Sequence, residues 1–197
     1  MKLAGWDTST RRSSLALREG ERTWEFDFEP QGDTGRYLLP KLQELLGEAG
    51  WGPGDGDLWV AGTGPGSFTG LRMGLVAAQF LAFAAGKPVV GVSSLRVIAE
   101  AFPARELLAV VTPATRGNYY RLVLEPGPDG ERRTVRAVEM KDEKSLGEEL
   151  SSDPGIRVGS SVALPWPVLR YAAAPGSHLA WPKARQRLSR GAEKYPA

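Results

Sequence analysis

VAGTGPGSFTGLRMG, residues 60–74, carries five glycines and runs straight into a long apolar stretch. A glycine-rich turn between a strand and a helix can cradle an anion on its backbone N–H groups. The motifs that do chemistry with such a turn fail here. A P-loop needs Gly, four residues, then Gly-Lys-Ser/Thr, but Gly70 is followed by Leu71 and Arg72. A dinucleotide fingerprint needs a third glycine, but Gly64-Pro65-Gly66 is followed by Ser67, Phe68 and Thr69. A nucleophile elbow needs glycine two positions either side of the serine, where Ser67 has Pro65 and Thr69. Two readings survive. The loop binds an anion at a helix N-terminus, or its glycines only permit the turn and close packing.

The helix expected from about Ser67 to Ala85, stopped by Gly86, bears on the choice. Gly70, Gly74, Ala78 and Ala82 recur every four residues and make a strip of small side chains. A glycine inside a helix costs roughly 1 kcal/mol relative to alanine, so a close contact should compensate. Leu71, Leu75, Val76, Phe80 and Phe83 place bulk on the adjoining faces. A helix apolar on most sides is buried on most sides. Its strip either packs in the chain's own core or meets a helix of another subunit. The second reading predicts that Gly74→Leu abolishes pairing while the monomer stays folded.

Outward from the loop, KLAGWD is a short apolar run ending in Asp7, SSLALRE and RTWEFDFE alternate, and the three read as strands joined by tight turns. Leu38, Leu42, Leu45 and Ala49 have helical spacing, with Asp33 or Thr34 as N-cap, Gly50 as the stop and Pro40 best placed near the first turn. DLWVAG, PVVGVS and ELLAVVT read as strands, and SLRVIAEAF as a helix capped by Ser94. The order βββαβαβαβ through residue 112 implies a mixed sheet with helices packed on it. Beyond it, NYYRLVLE and RRTVRAVEM flank PGPDG as a hairpin. DEKSLGEEL is a short polar helix, IRVGSSV a strand, and PKARQRLSR a final helix started by Pro182 and followed by Gly191. The division expected is 1–112 and 113–197. No internal repeat shows in the sequence.

The 197 residues carry a net charge of +2, too small to argue for a nucleic-acid partner in bulk. The charge is uneven, at +6 over 156–197 and −4 over 1–155. Lys183, Arg187 and Arg190 fall on one helical face and either contact phosphates or form a solvated face. The chain has no cysteine, which removes thiolate, disulfide and Cys-zinc chemistry. Its one histidine, His178, cannot make a multi-His metal site. DTST at 7–10 either positions a metal-bound phosphate or makes a hydrogen-bonded turn. The N-terminus lacks the apolar core of a secretory signal. The uncharged run Met73–Gly86 would span roughly 21 Å as a helix, short of a ~30 Å bilayer core. A cytoplasmic protein without a membrane partner is expected.

DTST, GTGPGSFTGLRMG and GKPVVGVSSL, in that order, closely resemble the TsaB (YeaZ) family over residues 1–112. These are accessory proteins in the synthesis of threonylcarbamoyladenosine in tRNA. The resemblance implies an α/β, actin/Hsp70/sugar-kinase-like (ribonuclease H-like) fold. A mixed sheet with flanking helices would be followed by a smaller, diverged second lobe. It also implies a noncatalytic subunit that pairs with the paralogue TsaD through helices of the first lobe, joined by the ATPase TsaE. Transfer of the threonylcarbamoyl group to adenosine next to the anticodon would then be TsaD's chemistry. No cofactor of its own is expected, ATP and a divalent metal belonging to the partners. The tRNA would be met indirectly or through the basic C-terminal segment.

Under this resemblance the contact residues are Gly70, Leu71, Gly74, Ala78 and Leu81 of one helix, with Tyr37 and Lys41 of the helix before it. Asp7, Thr8, Ser9, Gly64, Gly66, Ser67 and Thr69 are the degenerate phosphate loops. The chain departs from the family at 113–115, where Pro-Ala-Thr replaces Asp-Ala-Arg and removes an acid and a base. It departs again near Thr34, where many members have histidine, and at the ending GAEKYPA, which implies a reduced second lobe. The other readings are an ATP-dependent kinase or ATPase of the same fold and a self-associating structural protein, a homodimer on the same helix face. A metalloprotease is opposed by the single histidine.

Overall fold

The computed structural model describes residues 1–29, 34–103, 105–128, 130–153, 155–160 and 178–180. The chain opens with β1 (Lys2–Asp7), β2 (Ser13–Glu19) and β3 (Arg22–Phe28). Trp6 stands opposite Leu15 and Ala4 opposite Leu17 on one face of the β1–β2 ladder. Helix α1 (Thr34–Ala49), β4 (Leu58–Gly62), α2 (Phe68–Ala85), β5 (Val89–Val92) and α3 (Ser94–Ala99) follow. The first sheet has the order β3-β2-β1-β4-β5, antiparallel from β1 to β3 and parallel from β1 through β4 to β5.

Helices α1 and α2 cover the face that carries Trp6, Leu15, Leu17, Trp59 and Ala61. Leu38, Leu42 and Leu45 of α1 meet this face, each such burial stabilising by about 1.5–3 kcal/mol. Pro40 lies inside α1 rather than in its first turn, at an exposed position. Gly50 and Gly86 end the two helices in the left-handed region, at φ 69° and 63°. Their stops are as expected, because a residue without Cβ enters that region freely. The candidate cap Asp33 lies outside the described residues, and Thr34 is itself helical.

A second five-stranded sheet is built from β6 (Leu108–Pro113), β7 (Asn118–Pro126), β8 (Arg132–Asp142), β9 (Arg157–Ser160) and β10 (His178–Ala180), with α4 (Glu143–Ser151) between β8 and β9. Its order is β10-β9-β6-β7-β8. β6 pairs antiparallel with β7 and parallel with β9, and β9 pairs parallel with β10. Counted from its own first strand, this is the order and sense of the first sheet again. The repeat that the sequence does not show is therefore present in the topology.

One expectation changes with it. ELLAVVT, read as the strand that closes the first unit, is β6, the central strand of the second sheet. A division after residue 112 would cut it. Its Leu108 and Val110 pack with Leu95, Ile98 and Ala99 of α3 on one face. Ala109 and Val111 pack with Leu146 and Leu150 of α4 on the other. A strand buried on both faces reads as the continuous apolar run seen here. The expected final helix, with Lys183, Arg187 and Arg190, lies outside the described residues. His178 opens β10.

Candidate functional site: closed loops and an apolar helix face

The glycine-rich loop leaves β4 and meets the turn that follows β1. Ser67 N–H donates to the Ser9 carbonyl at 2.7 Å. Ser9 N–H donates to Asp7 Oδ1 at 2.7 Å, and Thr8 Oγ1 donates to the Gly70 carbonyl at 2.7 Å. Trp6 Nε1 donates to the Gly74 carbonyl at 2.9 Å. At the start of α3, Gly64 N–H donates to Ser94 Oγ at 3.0 Å and the Gly64 carbonyl accepts from Ser94 N–H at 2.9 Å. Ser67 Oγ caps α2 by accepting from Gly70 N–H at 3.2 Å. The structure thus joins Asp7, Thr8, Ser9, Gly64, Gly66 and Ser67, and leaves Thr69 exposed.

The glycines are explained by this contact. A Cβ on Gly66 would overlap the Ser9 carbonyl oxygen, and one on Gly70 the Thr8 carbonyl oxygen. One on Gly62 would overlap the Asp7 carboxylate. Two carbonyl oxygens face the N-terminal turn of α2 at the place where a phosphate loop would offer its N–H groups. Next to the turn lies a cavity of about 60 Å³ lined by Asp7, Ser9, Arg12, Asp27, Ser94 and Val97, among others. Arg12 and Asp27 pair across it at 2.7 Å. Ser9 Oγ is buried without a hydrogen-bond partner. Among the described residues no three His, Cys, Asp or Glu side chains are grouped to hold a metal.

The strip of small residues faces inward. Gly70, Gly74, Ala78 and Ala82 are the buried residues of α2. A Cβ on Gly74 would overlap Thr8 Oγ1 and stand 3.4 Å from the Trp6 ring. This corrects the reading that made Gly70, Gly74 and Ala78 contact residues, since no partner can reach them while the sheet is in place. Gly74→Leu therefore tests the chain's own fold rather than pairing. Leu71 and Leu81 are half-buried, Leu71 against Gly64 and Leu81 against the first core. Tyr37 packs with Phe28. Lys41 Nζ lies 4.7 Å from the Phe26 ring and bonds Glu44 at 2.8 Å. Both are engaged on the β3 flank of α1.

What faces outward is the bulk. Phe68 is 78% exposed, Val76 56%, Phe80 68% and Phe83 86%, and Leu39 of α1 is 52% exposed. Large contiguous apolar patches on a protein surface mark interaction sites. The sequence signal was present in Phe68, Val76, Phe80 and Phe83, but their outward direction depended on which side of α2 the sheet took. At 18 residues α2 is also longer than its uncharged run, and by length and composition alone it is long and apolar enough to cross a membrane. At the Pro-Ala-Thr of 113–115, Pro113 ends β6. Arg116 and Gly117 then turn the chain at φ 56° and 74°.

Two mixed sheets of one strand order, flanked by helices, define a protein of the actin-like, ribonuclease H-like class. The comparisons agree. The family model for TsaD, tRNA N6-adenosine threonylcarbamoyltransferase, matches residues 35–125. The tRNA threonylcarbamoyladenosine biosynthesis protein TsaB of Haemophilus influenzae is 30% identical over 99% of this chain and 86% of its own length. That of Escherichia coli is 39% identical over 51% of this chain and 43% of its own length. The solved structure of YeaZ from Pseudomonas aeruginosa is 28% identical, with a TM-score of 0.64 over 84% of this chain and 70% of that one. The chain belongs to the TsaB (YeaZ) family of tRNA threonylcarbamoyladenosine biosynthesis proteins.

Proposed function

We propose that the chain is a noncatalytic subunit that pairs with TsaD, and with TsaE, to support threonylcarbamoyl transfer to adenosine in tRNA in the cytoplasm. The observation that carries this reading is the outer face of α2, where Phe68, Val76, Phe80 and Phe83 stand in solvent while the glycine side is used internally. TsaD is the favoured occupant because the TsaD model matches the segment of this chain that contains α1 and α2. Two related lobes can pack through equivalent helices. The kinase reading is less well supported. The cavity beside Asp7 is about 60 Å³, against roughly 300–1,000 Å³ for small-molecule sites.

The test is light scattering after size exclusion, with this protein alone and mixed with TsaD from the same genome. Wild type should form a heterodimer. Phe80→Glu should abolish it with the thermal unfolding midpoint of the isolated chain unchanged. Reconstituted tRNA modification should then fall in parallel. Normal pairing by the variant would defeat the reading.

A further inference from the structure

Helices α1 and α2 cover one face of the first sheet. The opposite face carries Ala16, Gly5, Val60 and Val90 in one row across the strands, with Leu3 and Leu58 in the next. Leu3, Ala16, Leu58 and Val60 are half-buried, and Val90 is 45% exposed. Among the described residues, these side chains belong to none of the three apolar cores. Strands β4 (LWVAG) and β5 (VVGV) are apolar on both faces and pair in parallel, the pattern of strands that are covered on both sides. Gly5 and Ala16 leave a shallow trough along the middle of this face. The start of α3 meets the face at its edge, where Ser94 and Val97 share a cavity with Asp7, Ser14 and Asp27.

The topological repeat points to the occupant. α3 follows β5, the edge strand of the first sheet, yet its Leu95, Ile98 and Ala99 pack on the second sheet. They take the face opposite α4, whose Leu146 and Leu150 meet Ala109 and Val111. β10 is the equivalent edge strand of the second sheet, and residues 181–197 follow it. We propose that residues 181–197 dock on the open face of the first sheet, so that each lobe is covered by the segment that leaves the other. The sequence suits this place. In WPKARQRLSR, residues 181–190, Trp181, Ala184 and Leu188 fall on one helical side and Lys183, Arg187 and Arg190 on another. Trp181 and Leu188 offer the bulk that the trough lacks. The charges are complementary, +6 over 156–197 against −4 over 1–155, and Glu25 is exposed at the margin of the face. The segment is then a strap that joins the two lobes rather than a free basic arm. This rests on the repeat in the fold and not on pairing through α2.

The experiment uses the full chain, whose lack of cysteine allows one to be placed cleanly. Thr23 is exposed on β3 at the margin of the open face, opposite Arg18, so a label there leaves the trough free. Thr23→Cys carrying a benzophenone maleimide is irradiated in an equal mixture of unlabelled and isotope-labelled chains, and the adducts are mapped by mass spectrometry. Adducts should form within one chain and fall in residues 181–197. Thermal unfolding of two variants is the second readout. Leu188→Glu should lower the Tm of the full chain by about 4 °C or more, and Arg187→Gln should leave it unchanged. Adducts that join two chains would make a second copy the occupant and overturn the proposal. Absence of any adduct in 181–197, or a Tm of Leu188→Glu equal to wild type, would show the segment to be free of this face and overturn it as well.

Discussion

Gly70→Ala separates local helix preference from tertiary packing, because the two predict opposite signs. Gly70 is the third residue of α2. On propensity alone alanine would stabilise the helix by up to about 1 kcal/mol. In the fold, the new methyl would overlap the Thr8 carbonyl oxygen. That oxygen belongs to backbone and cannot rotate away as a side chain would. Overpacking of this kind costs about 1–3 kcal/mol. Moving the turn also strains the buried Thr8 Oγ1 to Gly70 carbonyl bond, worth about 1 kcal/mol.

The expected net effect is a destabilisation of about 1–3 kcal/mol, or roughly 2–4 °C in Tm for each kcal/mol in a chain of this size. Urea and thermal unfolding of the full chain measure it. Gly47→Ala is the internal control. Gly47 lies within α1, is exposed, and has nothing within 4 Å of an added Cβ, so this variant should gain about 0.5–1 kcal/mol. If Gly70→Ala is as stable as wild type or more so, the two loops are not closed on each other.

Three further outcomes follow from other parts of the fold. Gly86→Ala should lower stability by about 1 kcal/mol, because Gly86 caps α2 at φ 63°; thermal unfolding checks it. Arg121 is buried and bonds Glu139 at 2.8 Å and Glu149 at 3.0 Å, so Arg121→Ala should cost about 1.5–3 kcal/mol in urea through the lost charge-assisted bonds, with Glu149 still held by Arg136 at 2.9 Å. Asp142 caps α4, and the Ser145 backbone N–H, followed by its hydroxyl, holds the Asp142 carboxyl below the ordinary range. A depressed folded-state pKa gives stability that is present above the unfolded value and lost as pH falls through the folded one. The acid side of the stability–pH profile should therefore flatten in Asp142→Asn, while a profile identical to wild type would remove Asp142 from the account.

Much of the local structure was legible in the sequence. A short apolar run marked β1, period-two alternation marked β2 and β3, and Leu38, Leu42 and Leu45 marked the buried side of α1. Ser67, Gly50 and Gly86 marked helix ends because capping is a matter of a few adjacent residues. Loop motifs that fail by a residue or two also speak against a P-loop or nucleophile elbow. These signals depend on neighbours in the chain, so the chain alone carries them.

Two decisions belonged to the tertiary structure. The run LAVVTP is apolar on both faces, and nothing within it says which sheet it joins. Pairing with β7 and β9, residues 118–126 and 157–160, made it the centre of the second sheet and completed a topological repeat with no repeat in sequence. Helix α2 is apolar nearly all round, so its own pattern could not choose a buried side. Trp6 and Thr8 chose it. Their side chains and the Thr8 carbonyl approach α2 so closely that only Gly70 and Gly74 fit against them, and steric exclusion of every Cβ there turned Phe68, Val76, Phe80 and Phe83 out into solvent.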